Sequence, residues 1–292
     1  MKPQEPGTLK RNRKSILIAG ILIVFTSTLY GYEFQVRLSG GLNYLGLKDV
    51  NSALRGWEDG LRREAVRQSW KTEGGAVPEF HGGFEFQAEL IFLLTPRLGI
   101  GLGSGYIHKE TLEKDAALTI VKGTVTYLYA RLTKVSAVPL DLTAYYFIPL
   151  GRDFHIYLKA GAGYLNARYV DREANKKIED SRYVYPTLAF AKAGGPSFQG
   201  GVGLAYQIEP FMGFFLEAAW RLARPGSFTG ENKAGEQGTL YYFEEYNPDL
   251  DFWQARMQVL PQPPAGERIR SAGKAVIDLS GASVRVGISL KF

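Results

Sequence analysis

Cysteine is absent from the 292-residue sequence. A disulfide-stapled secreted domain and a lipoprotein, which needs an acceptor cysteine, are therefore both excluded. Long apolar runs are also scarce: the longest, Ile16–Phe25, has about ten residues, whereas a membrane-spanning helix needs about 20. The mature chain is therefore predicted to be either soluble or a closed β-barrel, the other structure that satisfies every backbone group in lipid.

The amino-terminal segment has the order of an export signal. A basic cluster at Lys10–Lys14 precedes the apolar run, and the weakly polar Thr26–Thr28 follows it. We predict a signal peptide over residues 1–31; a single-span anchor is the alternative that the short apolar run disfavours. Removing these residues lowers the formal charge from +6 to +2, so the basic balance does not indicate a nucleic-acid partner.

Eight segments of the remaining chain alternate between apolar and polar residues with the period of a β-strand. The last is the most regular, because every second residue from Val284 to Phe292 is apolar. Pro139 lies inside the fourth segment, where we expect a bulge or an interruption because proline cannot donate to a ladder. The predicted strands are Glu33–Leu45, Gly82–Leu94, Leu98–Ile107, a segment within Thr124–Ile148, Phe154–Tyr169, Ser197–Ile208, Phe211–Leu222 and Ala275–Phe292.

The connections between these segments alternate between very short and long. Long loops are predicted at about 46–80, 108–123, 170–196 and 224–273, and the other connections have only a few residues. This sorting is typical of bacterial barrels, with short turns in the periplasm and long loops outside. Residues 32–292 are therefore predicted to form an all-β, eight-stranded antiparallel transmembrane β-barrel. A soluble barrel of lipocalin type, apolar inside, is the alternative.

The polar row of the strands is predicted to face the interior, where charged residues alternate with glycines. Eight strands leave an interior just wide enough for side chains. Buried charges must neutralise one another, so we predict an ion-pair network that plugs the lumen. A narrow polar conduit is the alternative. The predicted network consists of Arg37, Glu85, Glu89, Lys159, Glu217, Arg221 and Arg285.

Several strand motifs combine glycines with aromatic residues: Gly40–Tyr44, Leu98–Tyr106, Val138–Tyr146, Leu158–Tyr164 and Gly281–Phe292. They resemble the small bacterial outer-membrane barrels of the superfamily that includes the OmpA transmembrane domain, OmpX and OmpW. The terminal pattern of Arg285, Gly287, Leu290 and Phe292 resembles the assembly signal of that class. The resemblance implies an integral protein of the bacterial cell outer membrane, with outer-membrane lipid and the barrel-assembly machinery as partners. It implies no particular activity.

Residues that indicate enzyme chemistry are few. His81 and His108 flank the outer ends of the second and third strands, with Glu79 and Glu110 nearby. A histidine at such a rim leaves a hydrolase or acyltransferase as an alternative. No serine stands at a recognisable spacing, and the set falls short of a metal-ligand signature. We therefore predict no enzyme, no catalytic residue, no metal and no cofactor.

Two of the long loops have features of their own. In the first, Asp49 is predicted to cap a short amphipathic helix that packs within the loop, covers the lumen, rests on the outer leaflet or binds a partner. The last loop concentrates aromatics at Tyr241–Tyr246, and Asn247–Pro248 is predicted to begin a helix. This loop is predicted to form either an external recognition surface or a lid over the barrel mouth. These loops favour a structural or surface-recognition role with an extracellular ligand or partner. A narrow channel for small or apolar solutes is the alternative, and a rim enzyme ranks third.

Overall fold

The computed structural model describes residues 33–111, 116–179 and 184–292, so the predicted signal peptide lies outside the described residues. One helix is present in these ranges, α1 (Lys48–Arg67). No helix in these ranges is long and apolar enough to cross a membrane. The strands are β1 (Phe34–Leu45), β2 (Lys71–Ala76), β3 (Gly82–Thr95), β4 (Leu98–Glu110), β5 (Ala117–Lys122), β6 (Val125–Pro149), β7 (Phe154–Lys177), β8 (Val184–Glu209), β9 (Met212–Ala223), β10 (Thr229–Asn232), β11 (Gln237–Asn247), β12 (Phe252–Leu260), β13 (Ile269–Lys274) and β14 (Gly281–Lys291).

Eight of these strands close into an antiparallel ring. Its order is β1, β3, β4, β6, β7, β8, β9 and β14, and β14 returns to pair with β1 from Gln35↔Lys291 to Leu45↔Gly281. The rings of Phe34 and Phe292 stack across this seam, with their centroids 5.0 Å apart. Each predicted strand corresponds to one member of the ring. The predicted fold class, an eight-stranded antiparallel barrel, is confirmed.

Strand β7 shows where the polarity of the barrel changes. Up to Tyr164 its outward side chains are apolar and exposed, while Lys159 is buried inside. Beyond that point the pattern inverts, because Leu165 and Tyr169 are buried inside and Arg168 faces out. We call the part with the apolar exterior the lower barrel. We call the rest, which has an apolar core, the upper domain; it comprises α1, β2, β5, β10 to β13 and the far ends of β6, β7 and β8.

The upper domain is built around helix α1. Val50, Leu54 and Trp57 are buried in a core that also receives side chains from β7, β8, β11 and β12. Gly56 brings the helix against β12, since a Cβ atom there would lie 2.5 Å from the carbonyl oxygen of Ala255. Only glycine permits this approach. The helix therefore lies over the mouth of the ring.

The predicted cap of this helix was misplaced. Asp49 lies inside the first turn, and Leu47 occupies the N-cap position without a side-chain hydrogen bond. The Asp49 carboxylate instead accepts a hydrogen bond from the backbone N–H of Val276, at 2.8 Å. The Asp49 side chain thus connects the helix to the segment that precedes β14. Local residue spacing cannot predict a contact between such distant parts of the chain.

Parts of the regions assigned to loops form strands. β7 continues to Lys177 and β8 begins at Val184, because buried apolar residues persist on their inner face above the lower barrel. The prediction of a helix from Asn247–Pro248 was wrong, since this position turns between β11 and β12. The Asn247 side-chain oxygen accepts from the backbone N–H of Asp249 at 3.0 Å, and this local bond stabilises a turn.

Pro139 interrupts one ladder without shifting its register. Pairing of β6 with β7 runs unbroken through Pro139↔Leu165, so the expected bulge is absent there. On the other side, pairing with β4 stops at Ser104↔Leu140 and resumes in the same register at Ile107↔Ala137. The Ser104 hydroxyl donates to the Pro139 carbonyl at 3.0 Å and bridges the gap. The strand itself continues from Val125 to Pro149, so an interrupted strand is absent as well, and only the ladder to β4 is broken.

Candidate functional site

Arg285 lies at the centre of the polar bore of the lower barrel. It is opposite Glu217 in the β9–β14 ladder, and its guanidinium ion-pairs with that carboxylate. Its Nη1 atom is also 2.8 Å from Glu85 Oε1 and donates to Gln87. Only 1% of Arg285 is exposed. The guanidinium therefore links two carboxylates from strands on either side of β1 and β14.

Lys159 extends the same network across the bore. Its Nζ atom is 3.0 Å from Glu217 and 3.8 Å from Glu89. Two tyrosine hydroxyls also hydrogen-bond to these carboxylates: Tyr145 donates to Glu89 at 2.7 Å and Tyr157 donates to Glu217 at 3.0 Å. Each acid in this group thus has both a cation and a neutral donor, as buried carboxylates require.

Arg221 connects the network to an acid that the sequence prediction omitted. Its Nη2 atom lies 3.4 Å from Glu85 and 3.7 Å from Asp141. Ser197 donates to the same Asp141 carboxylate at 3.1 Å. Asp141 and Tyr145 share the inward row of β6, but that strand was bounded only loosely from the sequence, so its two faces were not separated.

Arg37 differs from the other predicted network residues. It lies opposite Glu89 in the β1–β3 ladder but forms no ion pair with a described carboxylate. Four aromatic rings surround its guanidinium carbon, at 4.2 to 5.5 Å from their centroids: Tyr145, Phe147, Tyr157 and Phe215. Cation–π attraction therefore replaces a carboxylate at this position.

Glycines on the inward row give the long side chains their space. A Cβ atom at Gly103 would lie 2.6 Å from the Glu89 Cγ atom, and one at Gly203 would lie 2.2 Å from the Tyr157 ring. The glycines that alternate with charged residues in the sequence thus leave space that the long charged and aromatic side chains fill within the bore.

Above the polar network, the bore is covered by apolar side chains. Ile107, Ala137 and Leu165 point inward at this level and join the core beneath α1. Higher in the upper domain, the guanidinium of Arg131 forms a two-bond pair with Asp171. Burial disfavours the charge of Arg131, but Asp171 more than compensates, so the pKa of Arg131 lies above its ordinary value.

The two rim histidines are held by separate carboxylates. His81 Nε2 is 2.7 Å from Glu79, and its ring stacks on Tyr44. His108 Nε2 is 3.4 Å from Glu110, and its ring stacks on Tyr106. These contacts do not include a serine or threonine nucleophile. Within the described ranges, no three metal-ligating side chains gather closely enough to hold an ion.

The residues of the predicted assembly signal lie on both faces of β14. Arg285 and Gly287 belong to the inward row, whereas Leu290 and Phe292 belong to the outward row near the periplasmic rim. Phe292 is 64% exposed, and its ring stacks on Phe34. Their role in assembly remains a prediction.

The upper domain contains an open cleft of about 270 Å³ between α1 and β12. Charged residues of both signs line it, among them Glu64 and Arg256, together with the side-chain amides of Asn247, Gln254 and Gln258. Arg67 hydrogen-bonds to Glu64 and holds the pKa of this carboxyl below its ordinary value. This cleft was not predicted, because its walls come from segments almost 200 residues apart.

Comparisons with known proteins give no matching family model and no matching curated protein. Among solved structures, Neisserial surface protein A is 10% identical, with a TM-score of 0.35 over 90% of this chain and 97% of that one. A major outer membrane protein from Thermus thermophilus is 12% identical, with a TM-score of 0.42 over 90% and 100%. The Ail protein of Yersinia pestis is 7% identical, with a TM-score of 0.36 over 89% and 99%.

The closed ring, the apolar exterior and the polar bore are those of an integral β-barrel of the bacterial outer membrane. The lower barrel exposes its apolar side chains, as lipid requires, and pairs the charges at the middle of its bore with one another. The lipocalin-type alternative is excluded, because its interior would be apolar at this level. The fold is thus that of a small transmembrane β-barrel with an exterior suited to lipid.

Proposed function

We propose that this protein is a non-conducting, non-enzymatic barrel that holds a rigid recognition domain at the cell surface. The observation that carries the proposal is a double closure of the bore. The ion-pair network around Arg285 fills the lower barrel, and the apolar core beneath α1 covers its outer mouth. A solute on this path would have to displace both layers.

The hairpin of β11 and β12 is the proposed recognition element. Near its tip, the rings of Tyr246 and Trp253 lie 5.3 Å apart, and Arg270 covers Trp253 at 4.2 Å. On the side toward α1, Arg63 covers the Phe252 ring at 4.7 Å. Rigid aromatic side chains beside arginine give large contact area at a low entropic cost, as in many binding surfaces.

The lining of the adjoining cleft supports a ligand without net charge. Arg256 is paired with Glu245 at 2.9 Å, and Arg131 with Asp171, so these cations are already neutralised. The amides of Gln254 and Gln258 both donate and accept hydrogen bonds. We therefore expect a neutral, hydroxyl-rich ligand the size of one or two sugar rings, since the cleft lies near the lower size limit of small-molecule sites.

Conductance measurements test the closure of the bore. The purified protein in a planar bilayer should show no steady current, because the buried side chains of Arg285 and Lys159 cross the bore. A large steady conductance that changes in Glu89→Gln would establish a pore and overturn the proposal.

Protease accessibility on intact cells tests the orientation. Trypsin should cleave after Lys233 and Arg268, which are exposed in turns of the upper domain. It should spare Arg97 and Arg152, in the short periplasmic turns, until the outer membrane is permeabilised. Cleavage at Arg97 or Arg152 in intact cells would mean that the barrel is inserted the other way.

Binding to an array of neutral oligosaccharides tests recognition. Replacement of Gln258 by Ala should weaken any binding by about three- to tenfold, since one hydrogen bond contributes about 0.7–1.4 kcal/mol. Val66→Ala, on the solvent face of α1, is the matched control and should bind like the parent. No binding by the parent, or equal loss in both variants, would count against the cleft.

A further inference from the structure

A second, smaller cavity lies at the periplasmic mouth of the bore, outside the network described above. Its volume is about 60 Å³, and its polar lining consists mainly of Gln35, Arg37, His155, Gln207, Ser289 and Lys291. An internal cavity of about 10–15 Å³ is already large enough for one water molecule. This cavity therefore has room for a small ion.

The lining of this cavity carries positive charge without a carboxylate. Arg37 and Lys291 are cationic, His155 becomes cationic when protonated, and none of the lining residues is acidic. Lys291 Nζ donates to the neutral Gln207 amide oxygen at 3.2 Å. The middle of the bore is different, because each cation there lies near at least one acid.

Arg37 supplies the strongest indication of a missing partner. It is only 2% exposed, and its Nε and Nη1 atoms have no hydrogen-bond partner among the described residues. The aromatic rings around it attract the charge but leave these N–H donors unsatisfied. A buried donor without an acceptor is costly, and more so when it is charged.

We propose that the cavity binds a free small inorganic anion, chloride or phosphate, from the periplasm. The anion lies between Arg37, Lys291 and the His155 ring and balances a cluster of positive charge inside the barrel. The anion thus supplies the negative charge that the ion-pair network lacks at the periplasmic end of the lower barrel.

Unfolding in neutral detergent at constant ionic strength tests this site. Sodium chloride or sodium phosphate replaces sodium gluconate, whose bulky organic anion serves as the reference, so that general screening stays the same. An ion at ten times its dissociation constant should raise the folding equilibrium constant about 11-fold. Lys291→Gln and Arg37→Gln should reduce this gain to less than threefold.

Arg152→Gln is the matched control, because it removes a positive charge at the same end of the barrel without lining the cavity. It should retain the full stabilisation. If Arg37→Gln fails to fold, Lys291→Gln and His155→Gln provide the same comparison. Bromide soaked into crystals should give an anomalous peak within the cavity.

Equal stabilisation of the parent, Lys291→Gln and Arg152→Gln would reveal only a general salt effect and overturn the proposal. So would the absence of stabilisation by both ions, or a bromide peak confined to other positions. Stabilisation by anionic phospholipid alone would identify a lipid headgroup as the source of the charge and would also contradict a free ion.

Discussion

Replacing Glu217 by Gln is expected to lower the free energy of unfolding by about 3–5 kcal/mol, the usual cost of removing one partner of a buried ion pair. Glu217 is 2% exposed and contacts Arg285, Lys159 and the Tyr157 hydroxyl. The substitution keeps the shape of the side chain but leaves two cations with less compensating charge. Urea-induced unfolding in detergent or in lipid vesicles measures the change.

Glu209→Gln is the matched control for this experiment. Glu209 ends strand β8 at the exposed periplasmic rim, and its substitution should change stability by about 0.5 kcal/mol or less. If Glu217→Gln also costs less than about 1 kcal/mol, water must reach the orphaned charges. Together with a steady ionic current, that result would replace the plugged bore with an aqueous channel.

Replacing Trp57 by Ala is expected to destabilise the upper domain by about 3–5 kcal/mol, the cost of a large cavity in a packed core. Trp57 lies on α1, is 5% exposed and packs into the core beneath this helix. This core is distinct from the aromatic cluster of the lower barrel. Hydrogen exchange should therefore lose protection in β11 and β12. Protection in β1, β3 and β14 should remain, because among these strands only β1 contributes a residue, Leu45 at its end, to the core that contains Trp57.

Val66→Ala is the control on the same helix. Val66 is 78% exposed, so its truncation removes little packing and should leave exchange rates unchanged throughout. Loss of protection in both parts of the molecule after Trp57→Ala would show that they unfold as one cooperative unit. Unchanged exchange in β11 and β12 would mean that the helix is not needed to hold the hairpin.

The lower barrel could be predicted closely from the sequence, because lipid imposes a strict rule on every strand. Outward residues must be apolar, and the period of two then fixes both faces, as in Val284 to Phe292. The upper domain could not be predicted in the same way. Its strands have water outside and an apolar core inside. In a strand such as β7 the apolar residues therefore change from the outward to the inward face partway along, and the sequence pattern does not show where the strand ends.

The bore residues show a second limit. The alternation of apolar and polar residues along each strand indicates which residues face the bore. The partners of these residues depend on the stagger between strands, which the sequence of a single strand does not show. Arg37 was placed correctly on the inward row, yet it lies among four aromatic rings from β6, β7 and β9 and not beside a carboxylate. Asp141 was missed because a strand of 25 residues with a proline inside it offered several registers.

The continuous strands β6, β7 and β8 have a mechanical consequence. They contain 25, 24 and 26 residues and pass from the lipid level into the upper domain without a hinge. At about 3.3 Å per residue, each is roughly 80 Å long, far more than the ~30 Å hydrocarbon layer. The β11–β12 hairpin joins these long strands through β10, which pairs with β8 from Thr229↔Lys192 to Asn232↔Ala189. A load applied to the hairpin is therefore expected to reach the ladders of the barrel wall as shear, which strains many hydrogen bonds at once.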